Sequence, residues 1–347
     1  MTNIMHGETP PHQSESPTEK SHPTTLSVVI IGLNEAGRIV NCIESIKCAV
    51  KELPDTELVY IDSGSTDDTV RLALEHGASV YRLGRTQLPS PSAGRYVGSL
   101  VTTGRYIMFV DGDSTVCPGW INEAINVLAC DDTVVMVCGQ FVDSNEWIPD
   151  EPLNTKGLGK LTQVKHISGS WSPIVSREAM EKAGNWNPFV RCREEADLEV
   201  RMLHFVPNAK MLKGNQRTVL TPKASTLTFS EITRRCRIGF VKGMGQILRN
   251  AIADGYLVKC LPIVKPIFLA SGLLLGLAIS IALGWWWQFL LAFLGIVVLR
   301  ALLTWKLARL RSATYSLLLG FSCLWEFIRV PVRRASDYVR DFEKIDA

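Results

Sequence analysis

After its first predicted strand the 347-residue sequence has no Gly-x-Gly-x-x-Gly turn, and nowhere does it carry a Gly-x-x-x-x-Gly-Lys-Ser/Thr loop. Dinucleotide-binding and P-loop readings lose ground accordingly. The nine cysteines, at 42, 48, 117, 130, 138, 192, 236, 260 and 323, form no Cys-x-x-Cys pair and no Cys/His zinc spacing. They read as reduced thiols in a cytosolic setting. A formal charge of +3 offers no basic stripe for nucleic acid. Residues 1–25 have almost no large apolar side chains and lack the apolar core of a signal peptide, so this Pro-, Ser-, Thr- and His-rich stretch is expected to be a disordered tail. His6, His12 and His22 are too scattered within it to predict a metal site.

What is present from Leu26 onward is an alternation of strand and helix. Ser27-Val28-Val29-Ile30-Ile31 is a short run rich in β-branched residues, the pattern of a buried parallel strand. Ile39, Ile43, Ile46 and Val50 follow at helical spacing. Strands are predicted again at Leu58–Ile61, Val80–Arg82, Tyr106–Val110 and Val134–Val137, with helices from the turn after Ile61 to about His76 and over Ser92–Val101. Strict alternation predicts an α/β fold, a mostly parallel sheet covered on both faces. In such sheets ligands sit beyond the carboxyl ends of the strands. This sequence places Asn34 and Glu35 after the first strand, Asp62 after the second, and Asp111 and Asp113 after the fourth.

The glycine in Asp111-Gly112-Asp113 frees the backbone to aim both carboxylates at one ligand. A diphosphate there would be repelled unless a divalent cation bridged it, and hard oxygen ligands favour Mg2+ or Mn2+. Three motifs stand in order: Val28-Val29-Ile30-Ile31-Gly32-Leu33-Asn34-Glu35, then Asp62-Ser63-Gly64-Ser65-Thr66-Asp67-Asp68-Thr69, then Asp111-Gly112-Asp113. Together they resemble the inverting nucleotide-sugar glycosyltransferases of family 2, which have the Rossmann-like GT-A fold. The resemblance runs from about Leu26 to Arg249. It implies that Asp62 contacts the nucleotide base with Glu35 beside it, that Asp111 meets the ribose or diphosphate, and that Asp113 holds the metal. Ser65 or Thr66 would also serve as the N-cap of the second helix.

Ala93-Gly94-Arg95-Tyr96-Val97-Gly98 is similar to the family's Ala-Arg-Asn-x-Gly, with Tyr96 in place of Asn; the resemblance makes Arg95 a diphosphate contact. Inverting transfer needs one general base for the acceptor hydroxyl. Arg193-Glu194-Glu195-Ala196-Asp197-Leu198 is similar to the family's Glu-Asp-x-Asp-Leu, which makes Glu195 the base, with Glu where Asp is usual and with Glu194 and Asp197 as competitors. Trp171, after a small-residue loop, is the acceptor-stacking candidate. Arg234 and Arg237 resemble the basic segment that closes over the donor; attraction to anionic headgroups is the competing account of them.

Residues 266–282 carry no charge, Gly284 breaks the run, and residues 285–299 continue it. Each half approaches the roughly 20 residues needed to cross a bilayer. Trp285, Trp286 and Trp287 suit the far interface, while Lys259, Lys265, Arg300, Lys306, Arg309 and Arg311 put both ends in the cytoplasm. The expected organisation is a tail (1–25), a GT-A domain (26–225), a basic interfacial segment (226–262), a transmembrane helical hairpin (263–311), and an interfacial helix or third span with a tail (312–347). The reading is a multi-pass protein of the inner (cytoplasmic) membrane with its catalytic domain in the cytoplasm, a nucleotide-sugar donor, a lipid-linked or glycan acceptor, and no nucleic-acid partner. Its rivals are a nucleotidyltransferase or dehydrogenase and a catalytically silent membrane protein that binds nucleotide sugars or partner proteins.

Overall fold

A computed structural model describes residues 25–84, 90–143, 157–165, 172–221, 228–285, 287–288, 291–292 and 307–346. In chain order the elements are β1 (Leu26–Gly32), α1 (Ile39–Ala49), β2 (Thr56–Asp62), α2 (Thr69–Glu75), β3 (Ser79–Leu83), α3 (Pro91–Val101), β4 (Tyr106–Asp111), β5 (Thr115–Val116), α4 (Ile121–Cys130) and β6 (Val134–Asp143). Then come β7 (Thr162–Val164), β8 (Ile174–Ser176), α5 (Arg177–Lys182), α6 (Glu194–Phe205), β9 (Lys210–Thr221), α7 (Phe229–Arg237), α8 (Met244–Ala253), α9 (Leu257–Cys260), α10 (Lys265–Ala282), α11 (Leu307–Arg329) and β10 (Phe342–Ile345).

Along β1 the side chains alternate between two buried faces, as a strand of period two must when both sides are covered. Val28 and Ile30 join a core with Ile39, Ile43 and Ile46 of α1 and Ile121 and Leu128 of α4. Val29 and Ile31 join a second core with Ala93 and Val97 of α3 and Leu198 and Met202 of α6. Each such aliphatic side chain contributes about 1.5–3 kcal/mol by leaving water. α3 rides unusually close to β1, because a Cβ at Gly98 would lie 2.2 Å from Val29 Cγ1.

The sheet runs β10-β3-β2-β1-β4-β8-β6-β9-β5, with β7 added on β9. Its β3-β2-β1-β4 half is parallel, and Gly32 faces Asp62 while Ile31 faces Asp111 across the ladders, so the three strands end level. The expectation of a mostly parallel sheet needs correction on the other half. Although the long β6–β9 pair is parallel, β8 is antiparallel to both β4 and β6, β5 and β7 are antiparallel additions on β9, and at the opposite edge β10 is antiparallel to β3. β5, β7, β8 and β10 are two to four residues long, too short to leave an alternation pattern in sequence.

A third core joins α8, α9 and the start of α10 to α11 through Met244, Ile247, Tyr256, Cys260, Val264, Ile267, Leu319 and Cys323. As α11 advances its partners recede. A Cβ at Gly320 would meet Pro266 and Ala270, Cys323 adjoins Gly245, and Glu326 accepts from the Gly243 and Gly245 amides at the start of α8. α11 thus runs back along α10 toward the sheet domain. The stretch expected as interfacial helix and tail then departs from expectation, because residues 342–345 form β10 at the edge of the sheet.

Among the described residues α10 is the one helix long and apolar enough to cross a membrane, with 11% of its residues buried. Residues 286, 289–290 and 293–306, which include most of the expected second limb of the hairpin, lie outside the described residues, and the helix placed against α10 is α11.

Candidate active site

Two loops at the level strand ends are stitched together by side chains. Asn34 adopts the left-handed region, φ +58°, which an amide side chain tolerates better than most. Its Oδ1 accepts from Thr66 N at 2.8 Å, and its own N–H donates to Ser65 Oγ at 2.9 Å. The Glu35 amide donates to Thr69 Oγ1 at 2.8 Å and the Ala36 amide to Asp67 Oδ2 at 3.2 Å. The residues 62–69 therefore act first as a clasp between β1 and β2. The expected N-cap role of Ser65 or Thr66 is not found: Asp68 occupies that place without a side-chain cap bond, because Ser65 and Thr66 are turned to Asn34.

Asp62 is wholly buried, accepting from Ser65 N at 3.0 Å and from Arg82 Nε at 2.8 Å. The sequence reading did not single out Arg82. The signal was its place opposite Asp62 in the β2–β3 register. Glu35 lies over the end of β1, where a Cβ at Gly32 would meet its Cγ at 3.3 Å and one at Gly112 at 3.5 Å, and the acidic groups that act on it are Asp113, Asp111 and Asp67. Arg38, also missed, stands 3.8 Å from Glu35 and 4.0 Å from Asp113.

This edge carries more negative charge than Arg38 offsets. Burial pushes the Asp113 carboxyl above its ordinary pKa, Asp111 adds to the rise, and Arg38 opposes it. Glu35 is raised likewise, by burial first and then by Asp113. Such a field favours a cation. Among the described residues no group of three or more His, Cys, Asp or Glu converges to cage a metal. Asp111 and Asp113 still provide two hard oxygen ligands on one turn, closed by Ser114 N on Asp111 O at 2.9 Å. That donor set fits Mg2+ or Mn2+ with phosphate oxygens and water completing the shell.

Arg95, on α3 and 3% exposed, joins this edge to α6. Its Nη2 donates to Asp111 Oδ1 at 3.1 Å; Nη1 donates to Glu194 Oε1 at 3.0 Å and to Glu195 Oε1 at 3.4 Å. Trp186 lies beneath the guanidinium at 5.0 Å from the ring centroid. Burial works against the charge on Arg95, but Asp111, Glu195 and Glu194 outweigh it and raise its pKa. Glu194 is raised well above the ordinary carboxylate range, by burial first and by Glu195 next, with Arg95 opposing. Glu195 is the more accessible of the pair, its side chain 22% exposed against 5% for Glu194.

Asp197 faces elsewhere. It is buried, binds Arg201 at 2.8 Å in an i,i+4 pair, and adjoins Tyr256 and Cys260. That pair was already present in the sequence spacing. Arg234 is engaged by Glu231 at 2.7 Å, which Arg234 and Arg235 together lower to about 2, and Arg237 is exposed at the end of α7. Neither is brought against Asp111 or Asp113 in the described contacts. Trp171 lies outside the described residues.

Residues 27–193 match the Glycosyl transferase family 2 pattern, a span that holds the clasp, both carboxylates of the β4 turn and Arg95. Over those residues, just under half of its length, the chain is similar to family 2 glycosyltransferases. Its relatives include Glucosyl-3-phosphoglycerate synthase of Mycobacterium tuberculosis, 38% identical over 96 residues that make up 26% of this chain and 29% of that one. The Escherichia coli K12 protein described as Uncharacterized glycosyltransferase YibD is 30% identical over 141 residues, 38% of this chain and 40% of that one. The chain thus spans well under half the length of either. The crystal structure of S. aureus TarS 1-349 has the same fold at 15% identity, with a TM-score of 0.50 over 87% of this chain and 92% of that one.

Proposed function

We propose that the protein is a membrane-bound inverting glycosyltransferase that moves a sugar from a nucleotide-sugar donor to a lipid-linked or glycan acceptor. One observation carries this reading: the level ends of β2 and β4 place Asp62, Asp111 and Asp113 along one edge, and Arg95 ties that edge to the carboxylates Glu194 and Glu195. Donor binding and proton removal need two such neighbouring groups. The nucleotide lies over the clasp beside Asp62 and Arg82. Asp111 and Asp113 would hold Mg2+ or Mn2+, which when bound supplies charge compensation for the departing diphosphate. Glu195, the accessible member of its pair, takes the proton from the acceptor hydroxyl as that oxygen attacks the anomeric carbon; the bond to the diphosphate breaks on the opposite face. A base of this kind contributes about 10²–10⁴-fold.

Membrane attachment is the second part of the proposal. Phe268, Leu275, Ile279 and Ile281 of α10 are half or more exposed, as are Trp285, Trp287 and Leu291 beyond it. Arg329 stacks on Trp325 at 4.6 Å near the end of α11, a pairing suited to a bilayer interface. With α10 in the cytoplasmic membrane, the sheet domain meets nucleotide sugars on the cytoplasmic side and its acceptor in two dimensions. The test is to purify the chain in detergent and offer UDP- and GDP-sugars with Mn2+ and lipid-linked acceptors. Transfer that falls at least 10²-fold in Glu195→Gln is expected. Binding of donor without any release of nucleoside diphosphate would leave only a silent binder.

A further inference from the structure

Arg95 makes contacts that a diphosphate ligand would not need. Its side chain is buried, its two terminal nitrogens are spent on three carboxylates from β4 and α6, and Trp186 backs it. Nothing else in the described contacts ties Asp111 to Glu194 and Glu195 directly. Arginine suits this post, since its planar fork can serve acceptors in two directions while a lysine ammonium is a single point charge. The first turn of α6 also begins under constraint: Arg193, its N-cap, has φ +56°. Glu194 and Glu195 are thus aimed by backbone geometry on one side and by Arg95 on the other.

We infer that Arg95 is a positioning residue that couples the donor edge to the proton-accepting pair, holding Glu195 in place through the guanidinium rather than touching the donor phosphates. The inference rests on the glycosyltransferase reading for its kinetic consequences. When a cation or donor engages Asp111, Arg95 keeps its grip on Glu194 and Glu195, so the distance between the two halves of the reaction is set by one side chain. Groups facing Glu194 are Arg95, Glu195 and Cys192.

The test compares wild type with Arg95→Lys and Arg95→Met. Steady-state transfer is measured alongside calorimetric titration with nucleoside diphosphate and Mn2+. The expected result is a kcat lower by about 10²-fold or more, the scale of a misplaced general base, with nucleoside diphosphate affinity within threefold of wild type. Partial recovery is expected in Arg95→Lys and none in Arg95→Met. A tenfold or greater loss of nucleoside diphosphate affinity with kcat preserved would overturn the inference and make Arg95 a donor ligand. Carboxyl-carbon NMR of glutamate-labelled protein supplies a readout independent of turnover. The Glu194 resonance, assigned by its loss in Glu194→Gln, should titrate higher still in Arg95→Met by about 1–3 pH units. An unmoved midpoint overturns the coupling, whereas absence of transfer in wild type with the NMR shift intact would defeat the reaction assignment alone.

Discussion

Asn34→Ala and Asn34→Gly separate a donor contact from a loop clasp. The Oδ1 of Asn34 accepts from Thr66 N at 2.8 Å, and both substitutions remove that bond while keeping the main-chain bond to Ser65 Oγ. A net hydrogen bond is worth about 0.5–1.5 kcal/mol, and exposure of Asn34 puts this one at the low end. Alanine keeps the Cβ that Asn34 already carries at φ +58°, where it costs about 1–2 kcal/mol, and only glycine sheds it. Asn34→Ala should therefore lose about 0.5–1.5 kcal/mol, while relief of the Cβ, partly offset by the chain entropy of glycine, leaves Asn34→Gly about 1 kcal/mol less destabilised. At about 2–4 °C per kcal/mol for a domain of this size, the alanine variant should melt roughly 1–6 °C below wild type. Scanning calorimetry in detergent reads both. The usual ranking at an exposed site puts glycine below alanine, so the inverted order is diagnostic. Alanine equal to or above glycine would refute the clasp.

Gly98→Ala should destabilise by about 1–3 kcal/mol, because the new methyl group would lie 2.2 Å from Val29 Cγ1 and force α3 off β1; chemical denaturation measures it. Glu326→Ala leaves the Gly243 and Gly245 amides without their acceptor at the start of α8, at about 1–3 kcal/mol each. Limited proteolysis should then cut near α11 faster than in wild type. Glu57 accepts from Ser27 Oγ at 2.6 Å and Thr103 N at 2.8 Å; burial opposes its charge, but these bonds outweigh burial and lower its pKa below 4.5. A depressed carboxylate stabilises the fold above the unfolded value and loses that contribution as pH falls through the folded value. Glu57→Gln should accordingly destabilise at pH 7, and its deficit should shrink as pH drops below about 4.5. A deficit independent of pH would contradict the sign.

The part of the fold that carries the site was legible because its signals are local. β1, β2 and β4 are runs of β-branched and aromatic residues ending in turn residues, and the sheet rule then places Asp62, Asp111 and Asp113 on one edge. The mixed half was not legible, since β8 has three residues and its pairing with β4 spans nearly seventy positions. β10 is hidden for the same reason, beyond an apolar helix that looks like an ending. Among site residues, Arg38 and Arg82 escaped notice because their partners are set by the level of the strand ends and by cross-strand register. Glu35 was expected beside Asp62, whereas the carboxylates that raise it are Asp113, Asp111 and Asp67; where its side chain falls over the end of β1 depends on the turn at Asn34. Arg95 was found as a residue but its place was not, because only packing of α3 on β1 and β2 shows that its guanidinium is sealed beneath the edge.

The central claim is that the β4 turn serves a nucleotide-sugar donor, and release of nucleoside diphosphate tests it most directly. Wild type and Asp113→Ala would be compared in detergent with Mn2+, across UDP- and GDP-sugars and with a lipid-linked acceptor present. The account predicts acceptor-dependent release by wild type with at least one donor and a loss of about 10²-fold or more in Asp113→Ala, the scale of removing a charge-stabilising group. Undiminished release by Asp113→Ala would contradict it.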